Sequence, residues 1–455
     1  MKKLTAIIIA NNEIEYAKLT VEGFRNFADP EDVEVVLVDN HSQDGLREWA
    51  SGQNDLTYVY MDEGEEKAGF LLSDVTRELD INTDILFMEA HYLLTPFALD
   101  RMYGSLYSDD TIGMIGGIIN GEYQSQKPSV DVSNYGEASQ YSIGADSVTV
   151  KNVLAISSGP VIIKADTLKK IGGFEINLGS FNKMLIQMAF KGLKNGFRSV
   201  VRSEAVIWNL LPGEPVISAY SAKYLDEDAA FMEKCWGTHY FNTLYNASIT
   251  TLVDCEPDRD LNVLEIGCDC GATLLEIKNR FPNANVFGLE ISEPAVEIAS
   301  VFADTRAGNI EDEDLPFDEK FDYIIFGDVL EHLHNPLRTI EYVTSVLKPG
   351  GRILACIPNV MHISVIEELL KGNFTYSENG LLDKTHIHMF TYNEILRMFT
   401  DANYTIREIF GVPGSISEMQ KGLISRLLEL EPAAERFMYE TFQYVLSAEY
   451  VGPNR

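Results

Sequence analysis

The feature that most constrains this chain is an apolar run that ends in a glycine-containing acidic turn. Val263–Ile266 is followed by Gly267-Cys268-Asp269-Cys270-Gly271 and then by residues typical of a helix. The two glycines let the backbone approach a ligand closely, because they have no Cβ atom. A strand, a tight turn and a helix in this order predict the nucleoside-binding unit of a parallel α/β sheet.

Glu290 ends the next predicted strand, 19 residues after Gly271. A carboxylate at that place accepts hydrogen bonds from ribose hydroxyls. A dinucleotide fingerprint needs glycines at 267, 269 and 272, but the sequence has Asp269 and Ala272 at two of these positions. Asp269 would repel a pyrophosphate, whereas S-adenosylmethionine carries a cationic sulfur, an ammonium group and no phosphate. The acidic turn therefore favours S-adenosylmethionine over NAD.

Three further segments follow in order: Gly308–Glu311, Phe321–Asp328 and Leu347–Gly351. Together with the turn and Glu290, they resemble class I S-adenosylmethionine-dependent methyltransferases of the group that contains ubiquinone-biosynthesis O-methyltransferases. The resemblance covers residues 251–455 and implies a Rossmann-like α/β fold. It implies that Asn309 and Ile310 contact the adenine and that Asp328 lies beside the methyl donor. The residues that it implies at the cofactor are Glu265, Gly267, Asp269, Gly271, Glu290, Asn309, Ile310 and Asp328.

Asp328, Glu331 and His332 have the spacing i, i+3, i+4, so a helix beginning near 328 would present them on one face. With the later His386, they resemble metal-dependent O-methyltransferases that act on vicinal hydroxyls. The resemblance implies that Asp328, Glu331, His332 and His386 bind Mg²⁺, which would lower the pKa of one hydroxyl.

Two alternatives to this metal site remain open. His332 or His386 would act as a general base, with Asp328 beside it. Otherwise the two carboxylates cap the helix and His332 is a packing residue. Cys268 and Cys270 are not expected to bind metal, because a single C-x-C has no second pair.

The first 211 residues alternate short apolar runs with amphipathic stretches, which predicts a mostly parallel sheet flanked by helices. Strands are predicted at 7–10, 33–38, 56–61, 85–88 and 112–119, and helices at 14–28 and 68–80. In the second half, strands are predicted at 262–266, 285–289, 305–307, 323–326, 352–357 and 405–410, and helices at about 271–281, 293–302, 336–347 and 392–402.

Three segments of this first half, Ile8–Asn12, Val35–Gly45 and Lys170–Glu175, resemble family 2 glycosyltransferases, which have a GT-A fold. The resemblance implies a nucleotide-sugar site in which Asp39 contacts the nucleobase and Asn11 lies on the first loop. It also implies Mn²⁺ or Mg²⁺ at the diphosphate.

Two positions depart from that family. Glu89 and His91 stand where the family has its metal-binding Asp-x-Asp, and they suit a hard cation less well. Asn182 stands near the expected catalytic acid, and an amide cannot accept the proton of an acceptor hydroxyl. An active transferase and a binding module are both compatible with these residues.

Residues 212–250 are predicted to be a connector between domains 1–211 and 251–455. The connector begins with the helix-breaking Pro212–Pro215 and continues as an aromatic helix, which either packs between the domains or covers the second site. Its aromatic residues are Tyr220, Tyr224, Phe231, Trp236, Tyr240, Phe241 and Tyr245.

Charge and composition restrict the partners. A net charge of −33 repels nucleic acid and anionic membranes at range. The sequence contains no run of about 18 apolar residues, so no membrane span is expected. Five cysteines without a secretion signal predict a cytoplasmic location.

The sequence as a whole predicts an S-adenosylmethionine-dependent methyltransferase that O-methylates a sugar or glycan. Its glycosyltransferase-like domain would present that substrate or a nucleotide sugar. One alternative is a bifunctional enzyme whose main activity is sugar transfer. The other is a non-catalytic scaffold for glycan assembly.

Overall fold

A computed structural model describes residues 2–62, 66–121, 126–127, 132–145, 147–156, 158–211, 223–237 and 242–452. The chain divides into two compact units, residues 1–244 and 245–455. Several connector residues lie outside the described residues: Pro212–Pro215, Tyr220, Tyr240 and Phe241. The domain limits predicted from the sequence stay predictions.

The first unit is built on a sheet whose strands run in the order β3-β2-β1-β4-β8-β6-β9-β5, with β7 beside β9. The strands are β1 Leu4–Ala10, β2 Val33–Asp39, β3 Thr57–Tyr60, β4 Asp84–Glu89, β5 Tyr92–Leu94, β6 Ile112–Ile119, β7 Val150–Val153, β8 Val161–Ile163 and β9 Arg198–Asn209. Strands β1 to β4 are parallel, with Ala10 opposite Asp39 and Ile9 opposite Glu89. Their carboxyl ends therefore meet at one edge.

Helices cover this sheet because each has one apolar face. They are α1 Ile14–Phe27, α2 Leu46–Ala50, α3 Ala68–Glu78, α4 Ala98–Leu106, α5 Tyr135–Gly144, α6 Ala165–Lys170, α7 Phe181–Lys194 and α8 Leu225–Trp236. Helix α8 lies in the predicted aromatic connector, whose residues 242–250 are also described. Asp228 accepts hydrogen bonds from the backbone of Gly179 and Ser180, and Trp236 donates to Gln187. Helix α8 thus packs within the first unit, and its predicted packing between the domains and its alternative role as a cover of the second site both stay predictions.

The second unit contains a sheet with the order β12-β11-β10-β13-β14-β16-β15. The strands are β10 Asn262–Ile266, β11 Asn285–Glu290, β12 Asp304–Ala307, β13 Phe321–Gly327, β14 Leu347–Pro358, β15 Tyr404–Pro413 and β16 Thr441–Tyr450. The first five are parallel, and β16 is antiparallel to both β14 and β15. The chain places β11 and β12 on one side of β10 and then β13 and β14 on its other side, so the strand order reverses at β10. Ligands bind at such a switch point.

The helices of the second unit pack on both faces of its sheet. They are α9 Ala247–Thr251, α10 Ala272–Arg280, α11 Glu293–Ala299, α12 Pro336–Thr344, α13 Ile363–Leu370, α14 Tyr392–Asp401, α15 Glu418–Leu430 and α16 Arg436–Glu440. The α/β fold class predicted for both halves is confirmed. Strand β16 was not predicted, although it lies between β14 and β15. Among the described residues, no helix has both the length and the apolar character needed to cross a bilayer.

Candidate functional site

The turn after β10 folds as the glycine pattern predicts. Gly267 and Gly271 have φ angles of 69° and 82°, in the left-handed region that favours glycine. A Cβ atom added at Gly267 would lie 2.6 Å from Cγ2 of Val329. Asp269, between them, also has a positive φ of 47°. The turn is therefore a tight backbone cradle that β10 and β13 hold from both sides.

Glu290 is oriented toward this cradle by backbone hydrogen bonds. One carboxylate oxygen accepts from the amide of Asp269 at 2.9 Å, and the other accepts from the amide of Ser292 at 2.9 Å. The side chain is 9% exposed. Each oxygen keeps a second lone pair, so the fixed carboxylate can still accept hydrogen bonds from a ligand.

Glu265 is a buried carboxylate at the end of β10, directly before the turn. Its Oε2 atom has no hydrogen-bond partner among the described residues. Burial raises the pKa of Glu265 to about 8, the Thr273 hydroxyl lowers it, and the nearby charges of Asp269 and Glu290 raise it further. Three carboxylates thus share one concave site, which favours a cationic ligand over a phosphate.

Asn309 and Ile310 follow β12 at the same edge of the sheet. Asn309 is exposed, and its side chain accepts a hydrogen bond from the amide of Glu311 at 3.0 Å. Ile310 is 5% exposed and belongs to the apolar core beside Leu289. The polar side chain of Asn309 and the apolar side chain of Ile310 are therefore neighbours at this edge, as the predicted contact with a purine base requires.

The helix predicted to begin near Asp328 is wrong. Asp328 has a φ of 57°, and a single 3₁₀ turn follows at Leu330–His332. The Asp328 carboxylate accepts a hydrogen bond from Nε2 of Gln443 at 2.5 Å, and burial raises its pKa to about 6. Gln443 comes from the unpredicted strand β16, so sequence reasoning missed this contact.

Glu331, His332 and His386 form a compact cluster. One candidate ligand atom of each lies within 4.8 Å of the others. The backbone carbonyl of Glu331 accepts hydrogen bonds from the amides of Ile387 and His388, at 2.9 and 3.0 Å, which brings the distant segment to the 3₁₀ turn. Three of the four predicted metal ligands are thereby assembled, and Asp328 lies outside this cluster.

The hydrogen bonds of the cluster leave its inner atoms free for a ligand. Nδ1 of His332 lies 3.2 Å from the Thr385 carbonyl oxygen, and Nδ1 of His386 lies 3.2 Å from the Leu381 carbonyl oxygen. A protonated Nδ1 at each contact leaves both Nε2 atoms as acceptors. Burial lowers the pKa of His332, which favours its neutral form.

Glu331 supplies the charge of this cluster. Its side chain is fully buried, and neither carboxylate oxygen has a hydrogen-bond partner in the described part of the chain. Nε2 of His386 lies 3.9 Å from Oε1 of Glu331. Burial and the charge of Asp328 raise the pKa of Glu331 well above its ordinary value. Two imidazoles around an unsatisfied carboxylate match the donor set of a divalent cation.

The first unit has its own polar edge, where β1, β2 and β4 end. Asn11 donates to the Asn40 carbonyl oxygen at 2.6 Å. Asp39 is fully buried and accepts from the amide of Ser42 at 2.8 Å and from the hydroxyl of Tyr58 at 2.7 Å. These bonds give Asp39 a structural role in the loop, and its contact with a nucleobase stays a prediction.

Glu89 and His91 follow at the end of β4. His91 is 6% exposed, and its Nδ1 lies 3.6 Å from Oε1 of Glu13. Burial lowers the pKa of His91, but the carboxylates of Glu13 and Glu89 outweigh it, so the pKa is raised overall. The structure therefore brings Asn11, Asp39, Glu89 and His91 to one edge of the sheet.

Each unit is thus an α/β domain with a polar edge at the carboxyl ends of its parallel strands. The strand order and acidic turn of the second unit are those of a Rossmann-like methyltransferase fold. Comparison with known families agrees, because residues 238–409 match the family described as "Methyltransferase domain" and residues 5–149 match "Glycosyl transferase family 2". The chain therefore contains a GT-A-like family 2 domain followed by a methyltransferase domain.

Several curated relatives are methyltransferases of quinone biosynthesis. The mitochondrial ubiquinone biosynthesis O-methyltransferase of Dictyostelium discoideum is 26% identical over 149 residues, which is 29% of this chain and 46% of that protein. The demethylmenaquinone methyltransferase of Symbiobacterium thermophilum is 34% identical over 104 residues, or 20% of this chain and 41% of that protein. The chain thus spans less than half the length of these relatives.

Two solved structures align with parts of the chain. GalNAc-T7 with UDP, GalNAc and Mn²⁺ aligns with 52% of this chain and 49% of its own, at 14% identity and a TM-score of 0.40. A putative methyltransferase from Bacillus halodurans aligns with 45% of this chain and 97% of its own, at 17% identity and a TM-score of 0.31.

Proposed function

We propose that the protein is an S-adenosylmethionine-dependent methyltransferase that methylates a hydroxyl group of a sugar or glycan. The observation that carries the proposal is the buried Oε2 atom of Glu265, which has no partner within the described chain. A buried carboxylate without a donor costs free energy, and an ammonium group beside it would remove that cost. S-adenosylmethionine supplies the methyl group when bound.

The residues of the cradle have distinct roles in this proposal. Glu290 accepts hydrogen bonds from the ribose hydroxyls, since the amides of Asp269 and Ser292 already fix its orientation. Glu265 and Asp269 face the cationic end of the ligand. Ile310 packs against the adenine. Asp328 lies at the end of β13, where it borders the reacting groups.

The Glu331, His332 and His386 cluster fits a divalent cation such as Mg²⁺, which would bind two neighbouring hydroxyls of the acceptor and favour loss of one proton. The fit rests on the two Glu331 oxygens that have no donor in the described chain. The carbonyls of Thr385 and Leu381 hold the two rings in the orientation that exposes Nε2. In the general-base alternative, neutral His332 accepts the hydroxyl proton without a metal.

Binding of the cofactor product tests the first part of the proposal. S-adenosylhomocysteine is expected to bind the full chain in the micromolar range by titration calorimetry. Glu290→Ala is expected to weaken it at least about 100-fold, since two charge-assisted hydrogen bonds are lost. Glu319→Ala removes an exposed carboxylate of the same unit and is the matched control. Absence of binding to the unaltered protein would support the scaffold alternative.

Metal dependence and acceptor class are tested with labelled S-adenosylmethionine. We expect label transfer to a nucleotide sugar or a cell-surface glycan, loss of transfer in EDTA and recovery with Mg²⁺. Unchanged turnover in excess EDTA would instead support the general base. The acceptor class is inferred from the union of the two domains in one chain. Five free cysteines agree with a proposed role in cytoplasmic glycan biosynthesis.

The first unit is proposed to bind a nucleotide sugar at the edge that holds Asn11, Asp39, Glu89 and His91. The favouring observation is the pair of carboxylates, Glu13 and Glu89, around His91, which offers donors for Mn²⁺ or Mg²⁺. Incubation with UDP- or GDP-sugars and Mn²⁺ separates binding from transfer. If the protein hydrolyses the sugar donor and Glu89→Gln abolishes this hydrolysis, the result favours the bifunctional alternative, in which sugar transfer is the main activity.

A further inference from the structure

A second cavity lies in the methyltransferase unit, near the opposite ends of the strands from the cofactor turn. Its volume is about 460 Å³, within the range of small-ligand sites. It is lined by Thr251, Leu252, Val253, Asp254, Cys255, Arg280, Arg352, Arg407, Glu408 and Ser447. The three arginines in this lining are unusual in a chain with 69 acidic and 36 basic residues.

The strand register places the cavity away from the cofactor. Arg352 pairs with Tyr323, whereas Ala355 pairs with Phe326, which is level with the last residue of β10. Three residues of a strand span roughly 10 Å, and the cofactor turn begins beyond that level. The cavity and the cofactor cradle are therefore separate sites that β13 and β14 connect.

The arginines are only partly neutralised. Nε of Arg407 donates to Oε2 of Glu449 at 2.8 Å. Arg280 donates to the neutral carbonyl oxygen of Thr250. No ion pair joins Arg280 or Arg352 to a carboxylate among residues that the structure describes. The exposed carboxylates of Asp254 and Glu408 line the same cavity without pairing with them.

Ser447 gives a second, independent indication of a ligand. Its side chain lies on β16 between Leu354 and Glu408 and is 2% exposed. Ser447 lines the cavity, and its hydroxyl has no hydrogen-bond partner within the described ranges. A buried hydroxyl without a partner costs free energy unless a ligand binds it.

We propose that this cavity binds the phosphate group of a small ligand through Arg280, Arg352, Arg407 and the Ser447 hydroxyl. Guanidinium groups form paired, charge-assisted hydrogen bonds with phosphate oxygens. The volume exceeds that of a lone phosphate, so a phosphate ester fits better than the free anion. Asp254 and Glu408 can accept hydrogen bonds from hydroxyls of the ester.

Titration calorimetry of the full chain tests this site with three probes: ribose 5-phosphate, inorganic phosphate and ribose. Saturable binding of ribose 5-phosphate and no binding of ribose are expected. Tighter binding of the ester than of inorganic phosphate identifies an ester as the ligand, whereas equal binding identifies free phosphate. No saturable binding of either phosphate probe would overturn the proposal.

Variants assign the binding to the cavity. Arg352→Gln is expected to weaken binding about tenfold or more, and Ser447→Ala a few-fold. Arg426→Gln, an exposed arginine on α15, is the matched control and should leave binding unchanged. An equal loss in the control would show general anion attraction and overturn the site. Circular dichroism verifies that each variant is folded.

The same titrations separate this site from the proposed methyltransferase function. Phosphate binding is expected to be unaffected by Glu290→Ala and by saturating S-adenosylhomocysteine, since the two sites lie at different ends of the strands. Displacement of ribose 5-phosphate by S-adenosylhomocysteine would place both ligands in the cofactor cradle and overturn the proposal.

Discussion

The two units place carboxylates at the same kind of position and treat them differently. In the first unit, Asp39 is fully buried, and both of its oxygens accept hydrogen bonds from the protein. In the second unit, Glu265 and Glu331 are similarly buried but keep oxygens without donors within the described chain. Because burying an unsatisfied carboxylate is costly, Glu265 and Glu331 favour a bound ligand in the second unit.

Loss of the Glu331 carboxylate is the strongest test of this comparison. Glu331→Gln is expected to lower Mg²⁺-dependent methyl transfer about 1000-fold or more, because losing even an outer partner of a metal ligand costs roughly 10- to 100-fold. The rate of transfer of the labelled methyl group measures this loss of activity. Glu341→Gln, at an exposed position of α12, is the control. Unchanged turnover in Glu331→Gln would remove the metal site from the proposal.

The pH dependence of stability is the next largest effect. The pKa of Glu265 is raised to about 8 from an ordinary value near 4.5. The folded state therefore binds this proton more tightly, so its contribution to stability is complete below about pH 4.5 and is lost as the pH rises toward 8. We expect the ligand-free second unit to lose on the order of 4 kcal/mol over this range.

Urea unfolding measured by circular dichroism at several pH values tests this dependence. Glu265→Gln should remove most of the slope, since it deletes the titrating group. S-adenosylhomocysteine should stabilise the unit at the higher pH. A slope that is the same in Glu265→Gln would assign it to other groups.

Substitution of the two buried carboxylates sharpens the contrast between the units. Asp39→Asn is expected to destabilise the first unit by about 1–3 kcal/mol, because the amide has one acceptor oxygen, so it cannot accept from both Ser42 and Tyr58 and neither bond is charge-assisted. Glu265→Gln should not destabilise the ligand-free second unit at neutral pH. All three tryptophans, Trp49, Trp208 and Trp236, lie in the first unit, so their fluorescence follows that unit alone. Equal destabilisation by both changes would contradict the comparison.

The smallest expected effect concerns Gln443, which we interpret as a positioning residue. Gln443→Ala is expected to lower kcat about tenfold, because Asp328 loses the donor that orients it. Binding of S-adenosylhomocysteine should be unchanged. Gln443→Asn, with a shorter amide, should recover part of the rate if positioning is the role. A larger effect on cofactor binding than on kcat would contradict this interpretation.

Much of the central fold followed from local pattern. The predicted strands at 262–266 and 112–119 have the same limits in the structure, and helix 14–28 differs by one residue. Apolar runs that are bounded by glycine or by polar turns predict strands. Strand β16 lacked such a boundary at its amino-terminal end, because it directly follows α16. Its contribution to the site, Gln443, was missed for the same reason.

The site was predicted in part. The spacing of Asp328, Glu331 and His332 indicated a metal site, but the inferred helix was wrong, because a positive φ at Asp328 turns the chain into a 3₁₀ turn. His386 joined the cluster as expected from the resemblance. The hydrogen bonds to the carbonyls of Thr385 and Leu381, which orient the rings, have no signal in the sequence.

The sequence by itself determined the strands and helices that have a clear local pattern, the tight glycine turn and its negative charge, because these depend on neighbouring residues. Tertiary structure decided which buried carboxylates were left without donors and which arginines shared a cavity. Both depend on how elements far apart in the chain pack. Hydrogen-bond satisfaction and burial are properties of those contacts, and local sequence does not encode them.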